Sequence, residues 1–139
     1  MSIDQYQRTV NSLDKDIADL EKRKAVADKK AADEAKRANN VTISKNASAA
    51  TVRSKQREIE RHKAASNKAA AESADYAKKI ADKRTRRNSA YQKLQKEQQK
   101  EQKTQQNILK NMQQTYEKRI AELESQALPA TISTINNGT

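Results

Sequence analysis

Apolar side chains recur over the first twenty residues at Ile3, Tyr6, Val10, Leu13, Ile17 and Leu20, in steps of three and four. That spacing is the heptad seam of a helix packing along one stripe. Beyond Leu20 the stripe continues only in small residues, through Ala27 and Ala31 to Ala38. A seam that shrinks in this way needs a partner that grows in the opposite direction. The pattern then breaks at residues 39–48, where Asn, Ser, Thr and β-branched residues cluster. Such side chains compete for backbone hydrogen bonds and favour caps and turns. The break predicts the apex of a helical hairpin, with one helix over about 3–38 and a second beginning near 49.

The second helix supplies the growing partner through Val52, Ile59 and Ile80. Folding the chain about residue 45 sets positions whose numbers sum to about 90 opposite each other, small against large in most pairs, as interlocking helices require. Ala38 then faces Val52, Ala31 faces Ile59, Leu13 faces Ala77 and Val10 faces Ile80. Tyr91 and Leu94 carry the stripe two turns further, after which residues 95–107 hold no apolar side chain. A helix polar all round has nothing of its own to bury. The stripe restarts at Ile108, Leu109, Met112, Tyr116, Ile120 and Leu123, and this segment is the one that most needs a partner. Pro129 is expected to stop the helix, with Ala130 to Ile135 extended and Asn136-Asn137-Gly138 turn-prone, so that residues 129–139 read as a linker towards a missing C-terminal domain. The expected fold is therefore all-α: an elongated antiparallel coiled-coil hairpin over residues 1–128, with a long second helix reaching about residue 127. The alternative bends the second helix near Thr85 to Ser89 into a three-helix bundle.

Composition narrows the function more than the fold. Of 139 residues, Leu, Ile, Val and Phe number 19, which by itself suggests disorder, whereas Ala, Glu, Lys, Leu and Arg number 67, close to the half typical of long helices. Periodicity decides for helix. An apolar inventory dominated by 22 alanines cannot surround a buried pocket, so a compact enzyme within these residues is not expected. There is no Cys, one His, and a single Gly at position 138, which removes disulfides, thiolate chemistry, His-rich metal sites and glycine-rich phosphate loops. His62, between Arg61 and Lys63, reads as an exposed surface residue, and the four tyrosines fall at or beside stripe positions. No catalytic, cofactor-binding or metal-binding residue is assigned. No run approaches the length of a membrane span and no secretory signal opens the chain, so a cytoplasmic protein without membrane contact is expected.

The net charge of +11 is uneven. Residues 1–38 carry 9 basic and 8 acidic side chains, residues 39–93 carry 14 and 5, and residues 94–139 carry 6 and 5. The surplus is densest at Lys83, Arg84, Arg86 and Arg87. A basic helical stripe can neutralise phosphates, which makes a nucleic-acid-binding coiled coil the second functional reading. Without interleaved aromatics there is no base-stacking platform, and an acidic protein face is an equal complement.

Several segments carry a resemblance: Asp4-Gln5-Tyr6-Gln7, the run from Leu13 to Lys22, the apex Ser44-Lys45-Asn46, the run from Ser54 to Ile59, and Tyr116 to Leu123. Together they resemble the N-terminal coiled-coil region of bacterial TIR-domain proteins, across most of residues 1–128. The resemblance implies a self-associating scaffold that regulates a following TIR domain, with NAD as that domain's substrate. The first strand, loops and catalytic glutamate of a TIR domain are absent from these residues, so no catalytic residue carries over. The expectation is a non-catalytic scaffold forming a homo-oligomer through residues 108–123.

Overall fold

The computed structural model describes residues 2–137, with side chains through residue 127. The chain is an all-α helical hairpin of α1, Ile3–Asn40, and α2, Ala49–Asn137. No strand occurs among the described residues. It divides into two compact units, residues 1–94 and residues 95–139.

Local chemistry sets the helix starts. Ser2 caps α1 in a reciprocal box: its Oγ accepts from the Gln5 amide at 3.2 Å, and its own amide donates to Gln5 Oε1 at 2.9 Å. Ser48 performs the same service for α2, accepting from the Thr51 amide at 3.2 Å. Between the helices Val41 takes an extended backbone (φ −68°, ψ 125°), Lys45 and Asn46 form a turn, and the Ala47 amide donates to the Ser44 carbonyl at 3.2 Å.

In the first unit an unbroken three-four alternation of non-exposed residues runs along each helix. On α1 they include Ile3, Tyr6, Val10, Leu13, Ile17, Leu20, Lys24, Ala27, Ala31, Glu34 and Ala38. On α2 the same alternation runs from Val52 through Ile59, His62, Ser66, Ala69, Ser73, Tyr76, Ile80, Lys83, Arg87 and Ala90 to Leu94. The seam is thus a heptad seam with polar members, and its buried core is small: Val10, Ile17, Ala27, Ala38, Ala69, Ile80, Ala90 and Leu94, with Ser73 the one buried polar residue among those described. Large apolar contacts gather at the open end, where Val10, Ala90 and Leu94 pack with Ile3 and Tyr6.

The expected register is corrected. The cross-helix partners are Glu34 with His62, Ala31 with Ser66, Asp28 with Ser73, Glu21 with Arg84, Asp16 with Lys83 and Asp14 with Arg87, and their numbers sum to 96–105 rather than 90. Ala31 therefore faces Ser66, not Ile59. The cause lies in the connection. Symmetric folding about residue 45 assumes a tight turn, but α1 ends at Asn40, Val41 is extended, and no helix resumes until Ala49, so a connection of eight residues separates the helices. The chain climbs beside the first turns of α2, with Val41 and Thr42 sharing a groove with Lys55, Glu58 and His62, before it turns back.

Two further expectations are revised. α2 is helical through Thr85 to Ser89, so the three-helix bend is not realised. It also remains helical past Pro129 to Asn137, so neither the stop at Pro129 nor the extended segment from Ala130 to Ile135 is seen. Proline's φ is itself helical, and the helix loses one hydrogen bond, to the Ser125 carbonyl. Of the expected terminal turn, Gly138 lies outside the described residues.

In the second unit every described side chain from residue 98 to residue 127 is exposed.

The hairpin's stability should be sensitive at two kinds of site. Leu94→Ala should cost about 2–4 kcal/mol by emptying the open-end cluster, and Ala69→Leu about 1–3 kcal/mol by forcing the helices apart. Thermal unfolding followed by circular dichroism checks both; a Leu94→Ala chain melting with the parent would contradict the cluster.

Candidate functional site

Three sets of residues are candidates: the hairpin seam, the basic cluster of α2 and the apolar stripe of the second unit. The seam residues Val10, Leu13, Ile17, Leu20, Val52, Ile59 and Ile80 are all buried or half-buried. Their work is to hold the helices together, which leaves none of them to bind anything else.

Polar seam residues complete that task. His62 Nδ1 lies 2.6 Å from Glu34 Oε2. Ser66 Oγ donates to the Ala31 carbonyl at 2.8 Å, and Ser73 Oγ donates to Asp28 Oδ1. His62 is therefore a half-buried inter-helix residue, not the exposed one its neighbours suggested. Its position three residues from Ile59 and four from Ser66 was the signal available. No buried side-chain nitrogen or oxygen among the described residues lacks a partner. The hydrogen bond with His62 and the nearby Arg37 charge hold the Glu34 carboxyl below its ordinary pKa. Lys24 and then Ser73 do the same for Asp28.

The basic cluster is largely consumed inside the hairpin. Lys83 Nζ pairs with Asp16 at 3.3 Å, Arg84 with Glu21 at 2.6 Å and Arg87 with Asp14 at 3.0 Å. Arg87 also stacks 4.8 Å from the Tyr91 ring centroid. The acidic complement to the cluster is thus α1 itself. Such exposed pairs contribute little stability each, about 0.2–1 kcal/mol, but they occupy three of the four cations. Arg86 alone has no ion-pair partner among the described residues. It lines an open groove of 760 Å³ with Arg8 and Lys93, floored by Tyr6, Leu13 and Ala90. No carboxylate lines that groove.

The stripe of the second unit is the opposite case. Ile108, Leu109, Met112, Tyr116, Ile120 and Leu123 are 46–64% exposed, and a shallow depression of 350 Å³ lies among Ile108, Met112 and Tyr116. These are six of the large apolar side chains left most exposed.

Among the described residues no three His, Asp or Glu side chains converge to hold a metal ion. Nor is any helix among them long and apolar enough to cross a membrane.

Comparison with protein-family models, characterised proteins and solved structures finds no match to this chain.

The carboxyl shifts give the hairpin a pH dependence of defined sign. Groups whose pKa is lowered on folding stabilise the fold fully above their unfolded-state values, and that stability is lost as pH falls through the folded values. The melting temperature should therefore hold from neutral pH to about pH 5 and fall below it. Glu34→Gln and Asp28→Asn should melt lower at neutral pH, with the gap to the parent closing in acid. A gap that stays constant down to about pH 2 would contradict the two contacts.

Proposed function

We propose that this chain is a non-catalytic scaffold whose residues 108–123 join copies of the chain to one another. The observation that carries the reading is the contrast along one helix. From Ile80 to Leu94 the large apolar residues at seam positions are buried, whereas the six from Ile108 to Leu123 are all exposed, at 46–64%. Scattered exposed hydrophobics are ordinary, but six on one stripe mark an interaction surface.

The partner is a second copy because the segment is close to neutral, with 6 basic and 5 acidic side chains over residues 94–139, so two copies do not repel. Residues 39–93, with 14 and 5, could not pair with themselves on those terms. Joining copies raises the local concentration of any tethered domain to about millimolar, which is how a scaffold acts without chemistry of its own. In the TIR reading that domain is an NAD hydrolase in the cytoplasm, and pairing promotes its activity. The scaffold function stands without that addition.

Nucleic-acid binding is the weaker reading, since three of the four clustered cations already hold carboxylates.

Light scattering at micromolar concentration tests the proposal. The parent chain should be a dimer or larger, and Ile120→Lys or Leu123→Lys should give monomers of unchanged helicity. A monomeric parent, or variants that assemble as it does, would overturn the reading.

A further inference from the structure

The charges beside the exposed stripe select an orientation. On a helix, a residue one position after a stripe member lies on one flank, and a residue one position before lies on the other. Glu117 follows Tyr116 and Glu124 follows Leu123, so both carboxylates share a flank with the neutral Gln113. Arg119 precedes Ile120 and lies on the opposite flank with Gln126. Lys110 falls further round, away from the stripe. Neither Glu117 nor Glu124 has an ion-pair partner among the described residues, and Arg119 reaches Glu122 only at 4.0 Å. Its side chain stays 69% exposed.

We infer that two copies pair through this stripe in parallel and in register, a step that rests on the self-association proposed above. In a parallel pair the two flanks differ in kind where they meet: the flank before the stripe on one copy faces the flank after it on the other, five residues further on. Arg119 of each copy then faces Glu124 of the other, and two-fold symmetry supplies the contact twice. In an antiparallel pair, like flanks meet. With residue 109 set against residue 123, Glu117 lies near its own counterpart and Arg119 and Glu124 sit on flanks that do not meet, so the two Arg119–Glu124 contacts of the parallel pair are lost.

Spacing fixes the register but not the direction. Leu109, Met112, Tyr116, Ile120 and Leu123 step by three, four, four and three, one four-residue step more than the heptad alternation of the hairpin. Such a step locally unwinds a left-handed supercoil. An identical stripe matches it, and because the order of steps reads the same in both directions, the flanking charges select the parallel pair.

The chain has no cysteine, so single replacements report orientation directly. Leu109→Cys and Leu123→Cys lie 14 residues apart, about 21 Å along the helix. Under mild oxidation each should form disulfide dimers with itself, and a mixture of the two should give no mixed product. A mixed 109–123 product without self-linked dimers means antiparallel pairing and overturns the inference while leaving self-association intact. Dimers in solution that neither cysteine traps place the interface elsewhere and overturn it as well. Should the replacements weaken the pair, spin labels at Gln105→Cys, outside the stripe, give a second readout. Parallel copies hold them within about 20 Å, whereas antiparallel copies separate them by more than 30 Å along the axis. Charge reversal completes the test: Glu124→Arg should weaken the dimer about fivefold, and adding Arg119→Glu should restore it. A monomeric parent would instead end the self-association reading on which the inference depends.

Discussion

Two helices share only a stripe, and that limit governs the whole hairpin. A two-helix layer cannot enclose side chains on all sides, so apolar burial is confined to a narrow line and large residues help mainly where several meet. At the open end Val10, Leu94, Ile3 and Tyr6 meet around Ala90. Along the middle, the buried positions are filled by Ala27, Ala38, Ala69 and Ser73, which bring the helices close without adding apolar volume. Close approach in turn favours polar seam residues that find partners across the gap. Glu34 with His62, Ala31 with Ser66 and Asp28 with Ser73 answer that demand in succession.

The same limit settles what the charge is for. The surplus on α2 has the look of an external binding face when α2 is considered alone. Brought against α1, it meets Asp14, Asp16 and Glu21, and the densest cluster becomes a fastening within the chain. These ion pairs and the seam hydrogen bonds are directional, whereas alanine contacts are nearly interchangeable from one heptad to the next. Register is therefore held by polar contacts while association is driven by apolar ones.

That division explains how much of the molecule could be read beforehand. Helical class, the two faces and the seam members Val10, Ile17 and Ile80 follow from spacing, because a heptad repeat fixes which side of a helix is covered. Register does not follow, because sliding one helix by seven residues returns the same faces to each other. A sum of 90 and a sum of 97 differ by one such step. The deciding information sat in the eight-residue connection that begins at Val41 and displaces the register, and in His62, whose seam position was hidden between two cations. For the candidate site the exposed stripe was legible as an unpartnered repeat, but the fate of Lys83, Arg84 and Arg87 depended on register and so was not.

α2 carries apolar lines of two different spacings, and the difference separates what each can pack against. Its heptad positions from Val52 to Leu94 suit α1, which is covalently tethered eight residues away and needs little intrinsic affinity. From Leu109 to Leu123 two four-residue steps fall in succession and shift the phase once against the heptad of α1, so a helix built like α1 would not cover the whole stripe by continuing the same winding. A partner that covered that stripe would bring an apolar line at the same spacing and a carboxylate placed to meet Arg119, a different demand from the one α1 answers in the hairpin.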